Sequence, residues 1–539
     1  MGKQILQADY TKIRQPKQLV LPLNAEYLIA KDEPVRLLDQ VLEELDYTAL
    51  YLTYSEKGRN PAVDAVTLFK IVVYAFSQGT YSTRKIETAC RYDVRYRYLL
   101  QGYRVPDHNM IYRFIKHHLE ACMSELFSQL VRKLMEYGEV TLRQVFLDGT
   151  KLEANANRYT FVWKKAVEKY RGKLQEKAKE YLQGELQTAD LSEPVSVKDL
   201  KRALRSLGNR IKKEKIVFVY GSGKRKTPLQ RQYETVEEML NRAQFYEEAL
   251  EIMGNDRSSY SKTDPDATFM HMKEDHMRNS QLKPGYNVQV AATGEYIAGI
   301  LINADRNDYY ALIPMIELLE EAYPEEKIGK LVADAGYESE EGYDYLSQKG
   351  IGSYIKPSNH EYSKTKKYRR DMEFRLAMQY DKEHDTYTCK NGRKLTYNGT
   401  RTKKNRNGYV SESRIYKCED CSNCPYYGKC YKGKYTKTIQ INEKFDSFRA
   451  ESEKNITSEE GNLLRVNRSI QAEGVFGITK QDMGFDRFLR RGVQGTLTEY
   501  LLLACGFNIN KLHHRIQEGR LGQDLLIPAK MQKKEEKTA

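Results

Sequence analysis

Val145-Phe146-Leu147-Asp148-Gly149 is the stretch on which the reading of this chain turns. A run of apolar residues belongs inside a sheet. A carboxylate at its carboxyl end is then predicted to emerge at the sheet's rim, where open α/β sheets bind ligands. A second run, Leu331-Val332-Ala333, ends the same way in Asp334 ahead of Ala335-Gly336. A third acid, Glu473, falls in the helical stretch Arg468-Ser469-Ile470-Gln471-Ala472-Glu473, with Lys480 two turns further on. Strands often end in Asp before a turn, so each acid alone is weak evidence. Together, carboxylates converging on two divalent ions activate water and stabilise the leaving oxygen of a phosphodiester.

Composition narrows the partners. The chain has 539 residues, which predicts two or three domains. Charged residues make up 30%, and no apolar run approaches the ~20 residues that span a bilayer. The start, Met1-Gly2-Lys3-Gln4, leads into no apolar signal core, so secretion is not expected. The net charge of +14 favours a polyanionic partner, nucleic acid above all.

From Pro61 the pattern turns helical, with Val63, Val66, Leu68, Ile71, Val72 and Ala75 at spacings of three to four. Ser82 is placed to cap a second helix whose first turn exposes Arg84 and Lys85. A third helix is expected from about Ile111 to Met135. Short helices with a basic second member resemble a helix-turn-helix entering a DNA groove; a plain helical bundle with a solvated face is the alternative. Residues 160–260 interrupt the sheet pattern. Val236, Met239, Leu240, Ala243, Tyr246, Leu250 and Met253 form one stripe closed by Gly254, and Lys164–Lys179 and Lys212–Lys226 are charged runs. Gly221-Ser222-Gly223-Lys224 fails as a phosphate loop, because Arg225 stands where Ser or Thr is needed.

Tyr286–Val290 and Tyr296–Ile302 read as a hairpin around Thr293-Gly294-Glu295. A helix from about Tyr309 to Ala322 leads to the Asp334 strand; Ser339 opens another helix, and Gly352–Pro357 is a last short strand. Strand, hairpin, helix, strand, helix, strand fits an RNase H-like core once two insertions are removed. Its first strand is central, so Asp148 and Asp334 meet at one rim and a final helix brings Glu473 there.

Five cysteines cluster: Cys389, Cys418, Cys421, Cys424 and Cys430. Their spacing suits structural Zn²⁺ bound by four of the five, with an iron–sulfur cluster or unliganded thiols as the alternatives. Nearby Lys403, Lys404, Arg406, Lys432 and Lys434 make a basic knob able to touch DNA, or simply to solvate a zinc knuckle. Cys90, Cys122 and Cys505 sit in apolar helical contexts and read as core.

Five stretches, taken jointly, resemble a bacterial insertion-sequence transposase of the DDE class. They are Pro61–Glu87 with Pro106-Asp107-His108, Leu147–Ala156, Thr263–Ala267 with Gly285–Gln289, Ala333–Tyr337, and Arg468–Gly477 extended to Lys480 and Arg490-Arg491-Gly492. The resemblance implies that Asp148, Asp334 and Glu473 hold two Mg²⁺ (or Mn²⁺) ions. It also implies that water cuts a transposon end and that the freed 3′-hydroxyl attacks target DNA. Lys480 matches a lysine that follows the Glu in relatives and would position phosphate. Arg468 resembles the basic residue before the Glu, displaced one position early and without the usual preceding tyrosine. Arg468, Arg490 and Arg491 would join Arg84 and Lys85 in contacting DNA.

The expected architecture is α/β: a helical N-terminal domain (1–137), an RNase H-like mixed-sheet domain (138–515) and a charged, disordered tail (516–539). The sheet domain is interrupted by a helical insertion (160–260) and a Cys-rich, zinc-like one (360–450). The expected activity is DNA transposition, by a homodimer on paired DNA ends in the bacterial cytoplasm, at the nucleoid and off the membrane. The alternatives are an RNase H-like nuclease that cuts without joining, and a silent DNA-binding protein derived from a transposase. Asp264, Asp266, Asp305 and Asp308 are further acids, expected to cap turns or to contact groups around the site.

Overall fold

The computed structural model describes residues 28–55, 61–188, 191–221, 225–254, 257–272 and 282–523. The tail from residue 524, the first 27 residues and Ser222–Lys224 lie outside them. In chain order the first eight strands are β1 (Gln144–Glu153), β2 (Phe161–Trp163), β3 (Ser259–Ser261), β4 (Thr268–His271), β5 (Leu282–Thr293), β6 (Tyr296–Asn303), β7 (Lys330–Ala333) and β8 (Gly352–Ile355). β2 and β3 pair as a separate ribbon, and the other six form one mixed sheet.

β1 is central. It runs antiparallel to β5, with Asp148 opposite Val290, and parallel to β7, with Leu147 opposite Ala333. β8 continues the parallel side, and β6 adds an antiparallel strand beyond β5. Gly294 and Glu295 join β5 to β6 with φ of 59° and 72°, the left-handed pair that matches hairpin twist. The edge strand β4, paired with the start of β5, was not legible in the sequence.

One expectation needs correction. Asp148 does not end its strand, because β1 continues to Glu153, held by β5 as far as Glu153 opposite Gly285. What ends there is the neighbour: β7 stops at Ala333, so one edge of β1 carries no strand from Asp148 until Arg487 bridges it at Glu153. The rim is made by the shorter strand.

N-terminal helices Pro34–Glu43, Ala65–Ser77, Thr83–Tyr92 and Val94–Leu100 precede a long one, His108–Glu136, which contains a π segment at Ile115–Leu119. Ser82 stands at the N-cap of Thr83–Tyr92 but makes no capping hydrogen bond with its side chain. These helices share one continuous core with the sheet. The link is the almost wholly buried helix Val493–Gln517. Its Asn508 side chain accepts from Ile297 N–H and donates to Ile297 C=O, both at 2.9 Å, and its Asn510 donates to Ser77 C=O at 2.9 Å. Buried amides paired on both sides cost little and fix register. The helical, buried context read for Cys505 is this helix, though its extent was not foreseen.

Helices Lys164–Gly184, Val197–Lys213 and Pro228–Met253 stand on the β2–β3 ribbon around their own core, including Leu174, Leu207, Val236 and Leu240. The cysteine-rich segment builds a second, antiparallel sheet of β9 (Gln379–Asp381), β10 (Thr386–Thr388), β11 (Lys394–Lys404), β12 (Val410–Cys418) and β13 (Thr438–Ile441). Helix Glu443–Thr457 returns to the main sheet, where Ser452 and Asn455 donate to Ile355 C=O (2.8 Å) and Ser353 C=O (3.0 Å). Among the described residues no helix is long and apolar enough to cross a membrane.

Candidate active site

The pairing of Leu147 with Ala333 sets Asp148 and Asp334 at the next positions of two neighbouring parallel strands. Asp148 is buried; Asp334 leaves the sheet as the cap of the short turn Ala335–Tyr337, accepting Gly336 N–H at 2.8 Å. Glu473 comes from a helix that runs from Glu459 to Asp482 and is π-wound at Ser469–Glu473 and again at Ile478–Asp482. The first π segment packs on β1 and β5.

Arg468 connects the parts. Its guanidinium donates to Glu473 at 2.7 Å and lies 3.7 Å from the carboxylate of Asp148. Residues five apart diverge around an α-helix, whereas a π turn, with its i→i+5 hydrogen bonds, brings them toward one side. The π turn thus sets Arg468 beside Glu473 although five residues separate them in sequence. Lys480, half-buried, falls in the second π segment. Among the described residues no three His, Cys, Asp or Glu groups are close enough together to hold a metal ion. Arg468 lies between two of the three acids.

A polar network backs the rim. Asp308 accepts from Asn287 at 2.8 Å and from Gln289 at 2.6 Å, and Gln289 in turn accepts from the hydroxyl of Tyr337. Burial raises Tyr337 well above the usual phenol range, and the carboxylates of Asp308, Asp148 and Asp334 push it the same way. It stays a protonated donor. Gly149 is closely covered here: a Cβ would meet Gln289 Nε2 at 2.2 Å and Asp308 Oδ1 at 2.9 Å, displacing the ends of both side chains. Sequence reasoning missed Asn287, Gln289 and Tyr337 as site residues. Their signal was two amides alternating with Tyr286, Val288 and Val290, since amides on one side of an apolar strand need buried partners.

Two other acids are structural. Asp264 accepts the Tyr286 hydroxyl at 2.9 Å and Gly492 N–H at 3.2 Å, and burial raises its carboxyl above the usual range. Asp266 accepts Val493 N–H at 3.0 Å, so the pair serves the start of helix Val493–Gln517. Arg490 lies over the Tyr112 ring at 5.7 Å, facing Glu120 and Glu499, and Arg491 donates to Asn155 C=O at 2.9 Å. Arg84 and Lys85 are exposed on their helix.

The cysteines come together only in part, Cys389 and Cys421 packing against the core that holds Cys418. Cys418 is buried with Leu395 and Tyr416 in the small sheet's core, and burial, with Cys421 alongside, pushes its thiol up to about 12. Cys430 instead accepts from Lys437 Nζ at 3.1 Å. Thiolates suit zinc chemically, but among the described residues no three such groups are close enough together to hold an ion, so the expected Zn²⁺ centre has no support in the structure.

The β11–β12 hairpin reaches back to the rim. Arg406 pairs with Asp305 at 2.7 Å and lies over the Tyr310 ring at 4.4 Å, while Asn405 donates to Glu341 at 2.7 Å. A cleft of about 520 Å³ opens between Arg306–Tyr310, Gly336, Lys403 and Asn405.

A mixed sheet with helices on its faces and a helical N-terminal region defines the class, an α/β protein. The comparisons are more specific. Residues 388–513 match the family described as Transposase DDE domain, and residues 23–117 match Transposase domain (DUF772). No curated protein matches the chain. The two family matches support an insertion-sequence DDE transposase. The first spans Arg468, Glu473 and Lys480, and the second spans Arg84 and Lys85.

Proposed function

We propose that this transposase cuts the ends of an insertion sequence and joins them to target DNA, with Asp148, Asp334 and Glu473 as its acidic triad. The observation that carries the reading is the Leu147–Ala333 register, which sets two aspartates side by side at the rim, with Arg468 tying Glu473 to the first of them. A central first strand, with a hairpin on one side and two parallel strands on the other, supports an RNase H-like core.

The triad offers hard carboxylate oxygens, the donor set of Mg²⁺ or Mn²⁺. Two such ions supply activation of the attacking oxygen and neutralisation of the leaving one. The chain's part is to hold the acids and the DNA. Arg468 balances the charge of Asp148 and Glu473 before substrate arrives. Gln289, Asn287 and Asp308 fix the floor under Gly149, and Lys480 with Arg468 would meet phosphate oxygens as the DNA enters. Arg84 and Lys85 would contact DNA away from the rim, as would Arg491. Two ends must be handled together, so the working form is a homodimer on paired ends, at the bacterial nucleoid.

Strand cleavage and joining on DNA carrying the flanking element's end, with Mg²⁺, tests this. Joining by wild type that Asp148→Ala, Asp334→Ala and Glu473→Ala each abolish, with DNA binding retained, is the expected result. Cutting without joining would replace the transposase reading with a nuclease.

A further inference from the structure

Helix Val197–Lys213 has a face that its own protein leaves unused. Leu200, Ala203, Leu207 and Ile211 are its buried stripe. Directly opposite, Lys198, Lys201, Arg205 and Lys212 recur at spacings of three, four and seven residues, with Arg202 and Lys213 beside them, all exposed. The row from Lys198 to Lys213 is about 22 Å long, the axial length of roughly six base pairs.

Among the described residues one acid of the helix comes near this face. The helix's one acid, Asp199, is buried in a capping box with Ser196 and reaches only Arg202, at 3.9 Å. Lys198, Lys201, Arg205, Lys212 and Lys213 make no ion pair among the described residues. An ordinary solvated face mixes signs, as the two neighbouring helices do: Glu168, Glu176 and Glu180 lie exposed on one, Glu237, Glu238, Glu247 and Glu248 on the other. Like charges three and four residues apart repel by a few tenths of a kcal/mol per pair. A helix that keeps them anyway matches a polyanion.

We infer that this face is a docking surface for the phosphate backbone of double-helical DNA, outside the catalytic cleft. Its place in the fold agrees. The insertion stands on the β2–β3 ribbon, and Arg306, which lines the cleft, donates to Ser258 at the foot of that ribbon at 2.7 Å. The choice of DNA rests on the transposase reading above; the geometry of the face does not.

The test is DNA binding by the full chain, followed by fluorescence anisotropy over a range of salt. The quintuple variant K198Q/K201Q/R205Q/K212Q/K213Q changes only exposed side chains. Its affinity is expected to fall about equally for every duplex sequence, with the slope of log K against log salt shallower by about four to five. The single variants K201Q and R205Q each lower the slope by about one, which keeps the test sound should the quintuple variant fold poorly. Binding and slope equal to wild type overturn the inference. So does the same loss in K165Q/K169Q/R171Q/K173Q/K177Q, which removes equal charge from the neighbouring helix, or a loss confined to RNA duplexes. If wild type binds no DNA, the transposase reading fails as well. If wild type binds and joins DNA while the quintuple variant binds as tightly, only this inference fails.

Discussion

Arg468 grips the carboxylate of Glu473 at 2.7 Å across a π turn, and the same guanidinium lies 3.7 Å from Asp148. A fixed cation thus stands between two of the acids proposed to hold metal ions. It relieves their repulsion while the site is empty of substrate, and it competes with any cation that binds there.

Arg468→Ala removes that competitor. Glu473 is half-exposed, so the stability lost with the pair is small, about 0.5–1 kcal/mol. Removing the competitor tightens Mn²⁺ binding, and a ligand that binds the native state raises its unfolding midpoint. The variant's midpoint is therefore expected to rise more on adding Mn²⁺ than wild type's does, while strand cleavage falls. A Mn²⁺ response equal to wild type's would show that Arg468 does not occupy the ion's place.

That Asp148 and Asp334 stand at neighbouring strands was legible, because an apolar run leading into Asp is a local pattern. How they relate was only partly so. The rim at Asp148 depends on where β7 stops, and the strand length of a neighbour is not written in residues 144–153. The π turn was invisible for the same kind of reason, since Arg468 and Glu473, five residues apart, read as diverging around an α-helix until the backbone is seen. The second sheet was hidden by its composition. β11 carries Arg401, Lys403 and Lys404 on a mostly exposed strand, and such a strand lacks the apolar alternation that marks a half-buried one. The cysteine spacing was legible only in part: Cys389, Cys418 and Cys421 share the small sheet's core, while Cys430 instead accepts from Lys437 Nζ.

Gly149→Ala tests the floor of the site. The new Cβ would meet Gln289 Nε2 at 2.2 Å, so the amide must leave Asp308 and Tyr337. A destabilisation of about 1–3 kcal/mol in denaturant unfolding is expected, from overpacking and lost buried hydrogen bonds. Gln289→Ala removes the nearer obstacle and leaves Asp308 Oδ1 at 2.9 Å. The double variant should be more stable than the two single effects predict by about 1 kcal/mol or more, with cleavage still impaired. Strict additivity would mean that the two residues do not meet as described.

Asp308 separates positioning from chemistry. Its carboxylate is held by Asn287 and Gln289 and is not part of the proposed triad. Asp308→Asn is expected to lower strand cleavage roughly 10–100-fold, the usual cost of disturbing groups behind a metal site. Asp334→Asn should abolish it. Equal loss in both variants, at equal fold stability by circular dichroism, would promote Asp308 to a member of the acidic set.

The last prediction concerns Glu499, buried on helix Val493–Gln517, whose carboxylate accepts the backbone N–H of Leu489 at 3.0 Å and of Arg490 at 3.0 Å. Burial raises its carboxyl from 4.5 to about 7, against the opposing pull of Arg490 and those two amides. The native state therefore keeps a proton that the unfolded chain has lost. Between pH 4.5 and about 7 the unfolded state binds fewer protons, so this group makes stability fall as pH rises. Below that window both states are protonated and the term vanishes; above it the full cost, of the order of a few kcal/mol, is present. Glu499→Gln retains an oxygen to accept the two amides and carries no titrating proton. It should gain stability over wild type progressively across that window, read as the difference in urea midpoint at each pH. A difference that does not change with pH would mean that Glu499 is already ionised throughout, with Arg490 as its settled partner.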